Sequence, residues 1–318
     1  MKYFRNQNCR FTRPVVTMGT FDGVHLGHQK LLQQMKDIAR RTQGKVIVIT
    51  YYHHPLEIIH SKTFPYLLTE REEKEKLLRK YGVECVLYLN FNRTMARMSP
   101  QDFLESIIIN EVNAKELVVG YDTHFGINRE GNYNFLQEHA SQYGYNVNVV
   151  EPYFIRNRIV SSSLIRDLIR EGDVNSAAEY MGREYSLSGE VSTGHRIGRN
   201  LGFPTINVIP ADANKLIPAI GVYVCLISIG SGIFQGVTNI GYSPTLKKTG
   251  IKEVESHIMD YDEDLYGKKV EVYFLQRLRD EKVFNSEHNL VKAIKEDIAA
   301  ARRFFLERDK VKNEKQRQ

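Results

Sequence analysis

The first half of the chain alternates short apolar runs with longer segments in which apolar positions recur every three or four residues. The run at 15–18 has the continuous apolar character of a strand buried on both faces. A helix is predicted after it from the spacing of Leu31, Leu32, Met35, Ile38 and Ala39. Further strands are predicted at 45–49, 85–89, 117–119 and 147–150, with helices at 69–82, 99–110 and 134–143 and another opening at Leu164. This alternation predicts an α/β domain with a parallel sheet covered on both faces.

The pattern changes after about residue 182 to short strands broken by Gly and Pro. These strands are predicted at 185–191, 221–229, 234–240, 254–259 and 269–276. Their spacing favours a small antiparallel β-barrel, followed by a helix at 289–307. We therefore expect one domain at 1–182 and a second at 183–308, with a polar and disordered tail at 309–318.

Composition limits the class of partner. The 318 residues carry a formal net charge of +6, and the last eleven residues alone hold five basic and two acidic side chains. The remaining positive charge suits anionic small molecules, and no basic run interleaved with aromatic residues favours a nucleic acid. No segment is apolar over the ~20 residues of a membrane span, and the first residues lack the apolar core of a secretion signal. Three scattered cysteines fit reduced thiols, so we expect a cytoplasmic protein without a membrane or nucleic-acid partner. The oligomeric state stays open.

The segment 19–28 reads GTFDGVHLGH and joins the first strand to the first helix. His25 and His28 are three positions apart, so both imidazoles lie on one face of the helix. The helix start offers unpaired N–H groups, and glycines at 19, 23 and 27 allow close approach of a ligand. This combination favours binding of a phosphate chain.

Two other readings of the histidine pair stay open. A metal site would need a third and a fourth ligand, which no neighbouring Cys, Asp or Glu supplies. A purely structural pair is the other alternative. Neither GxxxxGK[ST] nor GxGxxG occurs in the chain, so any phosphate site is of another type.

Three later segments carry further candidate chemistry. Ser162 and Ser163 precede a predicted helix, where they act as caps or hold a phosphate together with Arg166. Thr205 and Asn207 lie on one side of an extended segment, where their oxygens suit Mg²⁺ carried in by a nucleotide. A glycine-rich hairpin is the alternative there. Glu255 shares a strand face with His257 and could take a proton from a hydroxyl, unless it merely faces solvent.

Four segments occur in an order that resembles one enzyme family. They are GTFDGVHLGH at 19–28, VSSSLIR at 160–166, GHRIGRNLGFPTIN at 194–207 and ESHIMDYDEDLYG at 255–267. Together they closely resemble the bacterial bifunctional riboflavin kinase/FAD synthetases over residues 13–306. The resemblance implies a Rossmann-like nucleotidyltransferase domain followed by a kinase barrel. It also implies two reactions: the barrel phosphorylates riboflavin with ATP to give FMN, and the first domain transfers AMP from ATP to FMN, giving FAD and pyrophosphate.

The same resemblance implies roles for individual residues. His25 and His28 would act in adenylylation, Glu255 would be the kinase base, and Thr205 and Asn207 would hold Mg²⁺. The implied ATP-binding residues are Gly19, Phe21, His25, His28, His54, Ser162, Ser163, Arg166, Gly194, Gly198, Arg199, Thr205 and Asn207. The implied flavin contacts are Asp122, Phe125, Glu255 and Arg279.

The chain departs from the family pattern at the expected flavin loop. Residues 120–126 read GYDTHFG, so Thr123 and His124 replace the usual residues, whereas Asp122 and Phe125 are kept. This departure motivates one alternative, transfer of a nucleotide to another phosphorylated substrate with the barrel serving only recognition. A second alternative is a flavin-binding regulator without catalysis, against which the intact His25, His28, Thr205, Asn207 and Glu255 argue.

Overall fold

A computed structural model of the chain describes residues 3–5, 12–59, 64, 66–192, 201–242 and 252–316. Its contacts divide the chain into two compact units, Met1–Ser162 and Ser163–Gln318.

The first unit is built on a six-stranded sheet whose strands follow the order β1-β4-β3-β2-β5-β6. All neighbours are parallel except β1, which pairs antiparallel with β4 at the edge. The strands are β1 (Tyr3–Arg5), β2 (Pro14–Met18), β3 (Lys45–Tyr51), β4 (Cys85–Leu89), β5 (Glu116–Gly120) and β6 (Asn146–Val150). The predicted parallel sheet is confirmed, with β1 as an additional antiparallel edge strand.

Helices and one hairpin complete the first unit. The helices are α1 (Leu26–Thr42), α2 (Pro55–Ile59), α3 (Arg71–Lys80), α4 (Arg93–Ala96), α5 (Pro100–Phe103) and α6 (Tyr133–Tyr143). Helix α5 continues into a π-helix, Leu104–Glu111, and a 3-10 turn spans Ile127–Arg129. A two-stranded hairpin, β7 (Phe154–Ile155) and β8 (Arg158–Ile159), ends the unit.

Alternate residues of the central strands are buried on opposite faces of the sheet. Val16 and Ile47 belong to one apolar cluster, whereas Val15 and Val46 belong to the other. The second cluster includes the predicted face of α1, which buries Leu31, Leu32, Met35, Ile38 and Ala39. Burial on both faces explains why the strands read as continuous apolar runs.

The second unit contains a closed antiparallel barrel in the order β10-β13-β12-β11-β14-β9. Its strands are β9 (Tyr185–Ser192), β10 (Thr205–Pro210), β11 (Gly221–Ile229), β12 (Gly232–Tyr242), β13 (Lys252–Ile258) and β14 (Lys269–Arg279). Its helices are α7 (Ser162–Glu171), which begins at the last residue of the first unit, α8 (Val174–Met181) and α9 (Glu287–Gln316). The predicted barrel is confirmed, and β10 is a sixth strand that was not predicted, in a segment where Pro204 precedes the strand and Pro210 is its last residue.

The compact units divide after Ser162, and α8 packs against β9 and β14 of the barrel. The domain boundary near residue 183 stays a prediction. Helix α9 continues to Gln316, so the tail predicted to be disordered is helical up to that residue. Cys225 is a buried free thiol, in agreement with the reduced state expected for it.

Candidate functional site

The histidine turn follows the central strand of the first unit. Strand β2 pairs with β3 on one side and with β5 on the other, so the direction of chain progression reverses at β2. Ligands of open α/β sheets bind at such a reversal, beyond the carboxyl ends of the strands. The turn from Gly19 to His25 lies directly after β2, and α1 begins at Leu26.

His25 and His28 are in contact. His25 has an extended backbone at the N-cap of α1, and its Nδ1 accepts a hydrogen bond of 3.4 Å from the backbone N–H of His28. The two rings stack with centroids 3.7 Å apart, and the ring of Phe21 lies 4.9 Å from that of His28. A Cβ at Gly27 would lie 3.2 Å from the His25 ring, so glycine leaves room for this stack. The predicted placement of both imidazoles on one face of the helix start is therefore confirmed.

Asp22 holds the histidine turn in place through buried hydrogen bonds to Leu68 and Thr69. It is fully buried, and its carboxylate accepts hydrogen bonds from the backbone N–H groups of Leu68, at 3.1 Å, and Thr69, at 2.9 Å, and from the Thr69 hydroxyl, at 3.1 Å. The backbone N–H of Gly23 donates in turn to the Thr69 hydroxyl at 2.9 Å. A buried charge is tolerated only with such partners. Asp22 was not predicted from the sequence because its hydrogen-bond partners lie more than 40 residues away along the chain. A carboxylate between the glycines of a turn could have indicated that it stabilises the turn.

The turn also has a strained backbone. Phe21 has a φ of 49° and the β-branched Val24 a φ of 37°, both in the left-handed region that non-glycine residues rarely adopt. Buried hydrogen bonds at Asp22, between these two residues, hold the backbone in this conformation. Strain of this kind is typical of residues that a binding site holds in a fixed position.

Two other predicted residues lie near strand ends of the same sheet. The N–H of Gly19 donates to the carbonyl of Ile49 in β3 at 3.0 Å. His54 follows β3, and its Nδ1 accepts from the N–H of Leu56 at 3.2 Å, which caps α2. The structure thus gives His54 a capping role, and contact with a phosphate stays a prediction.

The serine segment falls across the two compact units. The Ser162 hydroxyl donates to the backbone carbonyl of Asp22 at 2.8 Å, which brings Ser162 to the histidine turn. Ser163 and Arg166 belong to the second unit, where Ser163 is exposed and Arg166 is buried. Their predicted role with the ATP phosphates stays a prediction.

The expected flavin loop follows β5. Asp122 is exposed, whereas Phe125 is only 6% exposed and packs against Phe103 and Phe135 at centroid distances of 5.3 and 5.9 Å. Phe125 therefore contributes to the apolar core of the unit. A flavin contact by Asp122 or Phe125 stays a prediction.

A cavity of about 340 Å³ opens in the second unit between the barrel and α9. It brings together four of the predicted residues, Thr205, Asn207, Glu255 and Arg279. Apolar side chains line it as well: Val222 of the barrel, Phe284 of the segment before α9, and Leu290, Ile294 and Ile298 of α9. Gly194, Gly198 and Arg199 lie outside the described residues.

Thr205 and Glu255 are hydrogen-bonded across two strands of this cavity. Strand β10 pairs with β13 so that Asn207 stands opposite Glu255 and Thr205 opposite His257. The Thr205 hydroxyl donates to Oε1 of Glu255 at 2.6 Å. His257 Nδ1 lies 2.9 Å from the carbonyl oxygen of Pro204, which fixes the start of β10. A hydroxyl, an amide and a carboxylate are thereby held on one wall, the oxygen ligands that suit Mg²⁺.

Arg279 forms an ion pair that the sequence did not reveal. Its Nε donates to Oδ1 of Asp297 at 2.8 Å, and its Nη2 donates to Oδ2 at 2.7 Å. Asp297 belongs to α9 and lines the same cavity. The sequence did contain one sign of this ion pair: Asp297 is a charged residue on a helix face that is otherwise apolar, beside Ile294 and Ile298.

Family models match both halves of the chain. One, described as FAD synthetase, matches residues 8–164, and one described as riboflavin kinase matches residues 181–305. The fold and the two sites thus define a two-domain transferase of flavin nucleotide synthesis.

Relatives extend this match to nearly the whole length. Two relatives are named bifunctional riboflavin kinase/FMN adenylyltransferase. The protein from Buchnera aphidicola subsp. Acyrthosiphon pisum is 34% identical to this chain, and the match covers 92% of this chain and 93% of the relative. The protein from Escherichia coli (strain K12) is also 34% identical, and the match covers 92% of each chain. A crystal structure from Streptococcus pneumoniae, described as a macrolide-efflux protein, is 30% identical with a TM-score of 0.84, covering 91% of this chain and 94% of the other. The chain belongs to the bifunctional riboflavin kinase/FMN adenylyltransferase family.

No helix in the described part of the chain is long and apolar enough to cross a membrane. In the same part, no three His, Cys, Asp or Glu side chains form a group that could hold a metal ion.

Proposed function

We propose that this protein makes FAD in two steps, first phosphorylating riboflavin to FMN and then transferring AMP from ATP to FMN. The observation that carries the proposal is that each family model falls on the half of the chain that holds the matching site. Residues 1–182 form the proposed adenylyltransferase domain and 183–308 the proposed kinase domain. The substrates are small molecules, and the proposed compartment is the cytoplasm.

In the kinase step, a hydroxyl must become a better nucleophile. Glu255 accepts the proton of the riboflavin 5′-hydroxyl as its oxygen attacks the γ-phosphorus of ATP, and ADP leaves. Thr205 holds the Glu255 carboxylate through its hydrogen bond of 2.6 Å. The oxygens of Thr205 and Asn207 are the groups that would hold Mg²⁺, which neutralises charge on the phosphates when bound.

In the adenylyl step, the phosphate of FMN is already a nucleophile. Its oxygen attacks the α-phosphorus of ATP, the bond to the β-phosphate oxygen breaks, and pyrophosphate leaves. His25 and His28 donate hydrogen bonds to the phosphates at the start of α1, where the helix dipole adds positive potential. The buried carboxylate of Asp22 keeps the turn in the shape that this requires.

Analysis of flavin products tests both steps. The protein is incubated with riboflavin, ATP and Mg²⁺, and riboflavin, FMN and FAD are separated by chromatography. We expect FMN to appear first and FAD to follow, with pyrophosphate released in equal amount to FAD. Absence of both products would refute the proposal, and FMN without FAD would refute its adenylyl half. Omission of Mg²⁺ should stop FMN formation.

A further inference from the structure

The ion pair of Arg279 and Asp297 is built into the wall of the kinase cavity. Arg279 ends β14, and Asp297 lies on α9, so the pair joins the barrel to the last helix. Both hydrogen bonds are short, and they run in parallel from the guanidinium to the carboxylate. Asp297 is 8% exposed. Such a shielded, two-bond pair fixes the plane of the guanidinium, which a single bond would leave free to rotate.

The pair leaves part of the guanidinium available. Of its five N–H bonds, two donate to Asp297 and one, on Nη1, donates to the carbonyl of Asp280 at 2.8 Å. The two remaining N–H bonds have no acceptor among the residues that the structure describes. Since Arg279 lines the cavity, a molecule bound there can accept hydrogen bonds from them.

The surroundings of the pair suit a planar, uncharged ring with carbonyl oxygens. Leu290, Ile294 and Ile298 of α9 line the same cavity and offer apolar contact. An unpaired arginine in such surroundings would carry an uncompensated, partly dehydrated charge. Asp297 cancels that charge while the donors of Arg279 stay directed. The ring system of riboflavin, with its two carbonyl groups, has this chemistry.

We propose that Asp297 is a positioning residue for riboflavin: it holds Arg279 in the orientation in which the guanidinium donates to the flavin ring. This inference rests on the proposed kinase activity and extends it to the recognition of the acceptor. Asp297 itself takes no part in phosphoryl transfer, so its loss should weaken binding of riboflavin and spare both the chemical step and the binding of ATP.

The test compares Asp297→Asn with a matched variant of another ion pair. Asp260 binds Arg302 of the same helix at 2.8 Å, both residues are exposed, and neither lines the cavity, so Asp260→Asn removes an equivalent contact elsewhere. For Asp297→Asn we expect the KM for riboflavin to rise about 10-fold to 100-fold, with kcat and the KM for ATP changed less than about threefold. The Kd of riboflavin, from quenching of flavin fluorescence without ATP, should rise by the same factor. Asp260→Asn should leave all four values unchanged.

Two further variants separate positioning from folding. Arg279→Lys keeps the charge but loses the planar fork, so it should raise the Kd of riboflavin as Asp297→Asn does. In the double variant Arg279→Lys/Asp297→Asn, the two effects should fall short of adding, because both remove the same arrangement. If Asp297→Asn does not fold, as seen by circular dichroism, Arg279→Lys alone decides.

Two outcomes would overturn the inference: an unchanged Kd for riboflavin, or a fall in kcat with unchanged binding. A wild-type protein that binds riboflavin without making FMN would instead contradict the proposed function, and the Kd comparison would still test the role of Asp297.

Discussion

The hydroxyl of Thr205 donates a hydrogen bond of 2.6 Å to the carboxylate of Glu255, and the two residues lie 50 positions apart in the chain. They meet because β10 and β13 are neighbours in the barrel, with Asn207 opposite Glu255. This contact orients the carboxylate toward the cavity that both residues line.

Replacing Glu255 by Gln should remove the proposed base of the kinase. We expect the rate of FMN formation to fall about 10²-fold to 10⁴-fold, the usual contribution of a general base. FAD formation from supplied FMN should persist, since it uses the other unit. Glu190→Gln, at an exposed barrel position, serves as the control and should keep full kinase activity. Equal loss of both reactions in Glu255→Gln would contradict the assignment of two sites.

Replacing Thr205 by Val preserves the shape of the side chain and removes its hydroxyl. The variant loses the bond to Glu255 and one proposed Mg²⁺ ligand, so we expect the kinase rate to fall about 10-fold to 100-fold. The Mg²⁺ concentration needed for half-maximal rate should rise. Thr205→Ser restores the hydroxyl and should recover most of the activity. Equal kinase rates in Thr205→Ser and Thr205→Val would contradict the proposed role of the hydroxyl.

Replacing His28 by Ala should affect the other reaction. The variant loses a donor at the start of α1 and the ring stacked on His25 at 3.7 Å. We expect adenylylation of FMN to fall about 10²-fold to 10³-fold, as for loss of one preorganised donor, with FMN formation intact. His139→Ala removes an imidazole from α6 of the same unit and should change adenylylation little. A His28→Ala variant with normal FAD synthesis would remove His28 from the site.

Asp22 is expected to be a structural requirement of the first unit. In Asp22→Ala, the N–H groups of Leu68 and Thr69 lose their buried acceptor. Each unsatisfied buried donor costs about 1–3 kcal/mol, so the free energy of unfolding of this unit should fall by about 3 kcal/mol or more. Asp37→Asn changes an exposed carboxylate of α1 and should alter stability by less than about 0.5 kcal/mol. Denaturant unfolding of both variants checks this, and equal stabilities would contradict it.

Cys225 should be unreactive until the barrel opens. Burial raises the pKa of its thiol to about 12, so the thiol stays protonated at pH 8 in the folded state. The unfolded thiol titrates near its ordinary pKa of about 8.5. The folded state therefore retains a proton that the unfolded state loses as the pH rises above this value, and Cys225 makes the barrel less stable from about pH 9 upward. Iodoacetamide at pH 8, followed by peptide mass spectrometry, should modify Cys225 in denaturant and not in buffer; rapid modification of the folded protein would show that the thiol is accessible.

Local patterns predicted most of the elements but not every strand. Strand β4 coincides with its predicted range, and the buried face of α1 is the predicted one. The helix predicted at 99–110 begins as expected, with the Ser99 hydroxyl accepting from the N–H of Asp102 at 3.0 Å. Strand β10 was not among the predicted strands although Thr205, Ile206, Val208 and Ile209 favour an extended backbone, and its place in the barrel comes from pairing with β9 and β13.

Phe125 shows the same limit for a candidate site. Its place in a family-like segment predicts a flavin contact, which stays a prediction, and the structure shows that its ring packs against Phe103 and Phe135 in the core of the unit. Whether an aromatic side chain faces a ligand or the core depends on which elements pack beside it, and sequence spacing does not contain that information.

The sequence by itself determined the features that depend on neighbouring residues. The strand and helix periods, the placement of His25 and His28 on one face, and the two-residue spacing of Thr205 and Asn207 all follow from local geometry. Tertiary structure alone decided three pairings: Asp22 with Thr69, Thr205 with Glu255, and Arg279 with Asp297. Each joins distant segments, and its partners are set by strand register and by the packing of helix on barrel, which arise only when the whole chain folds.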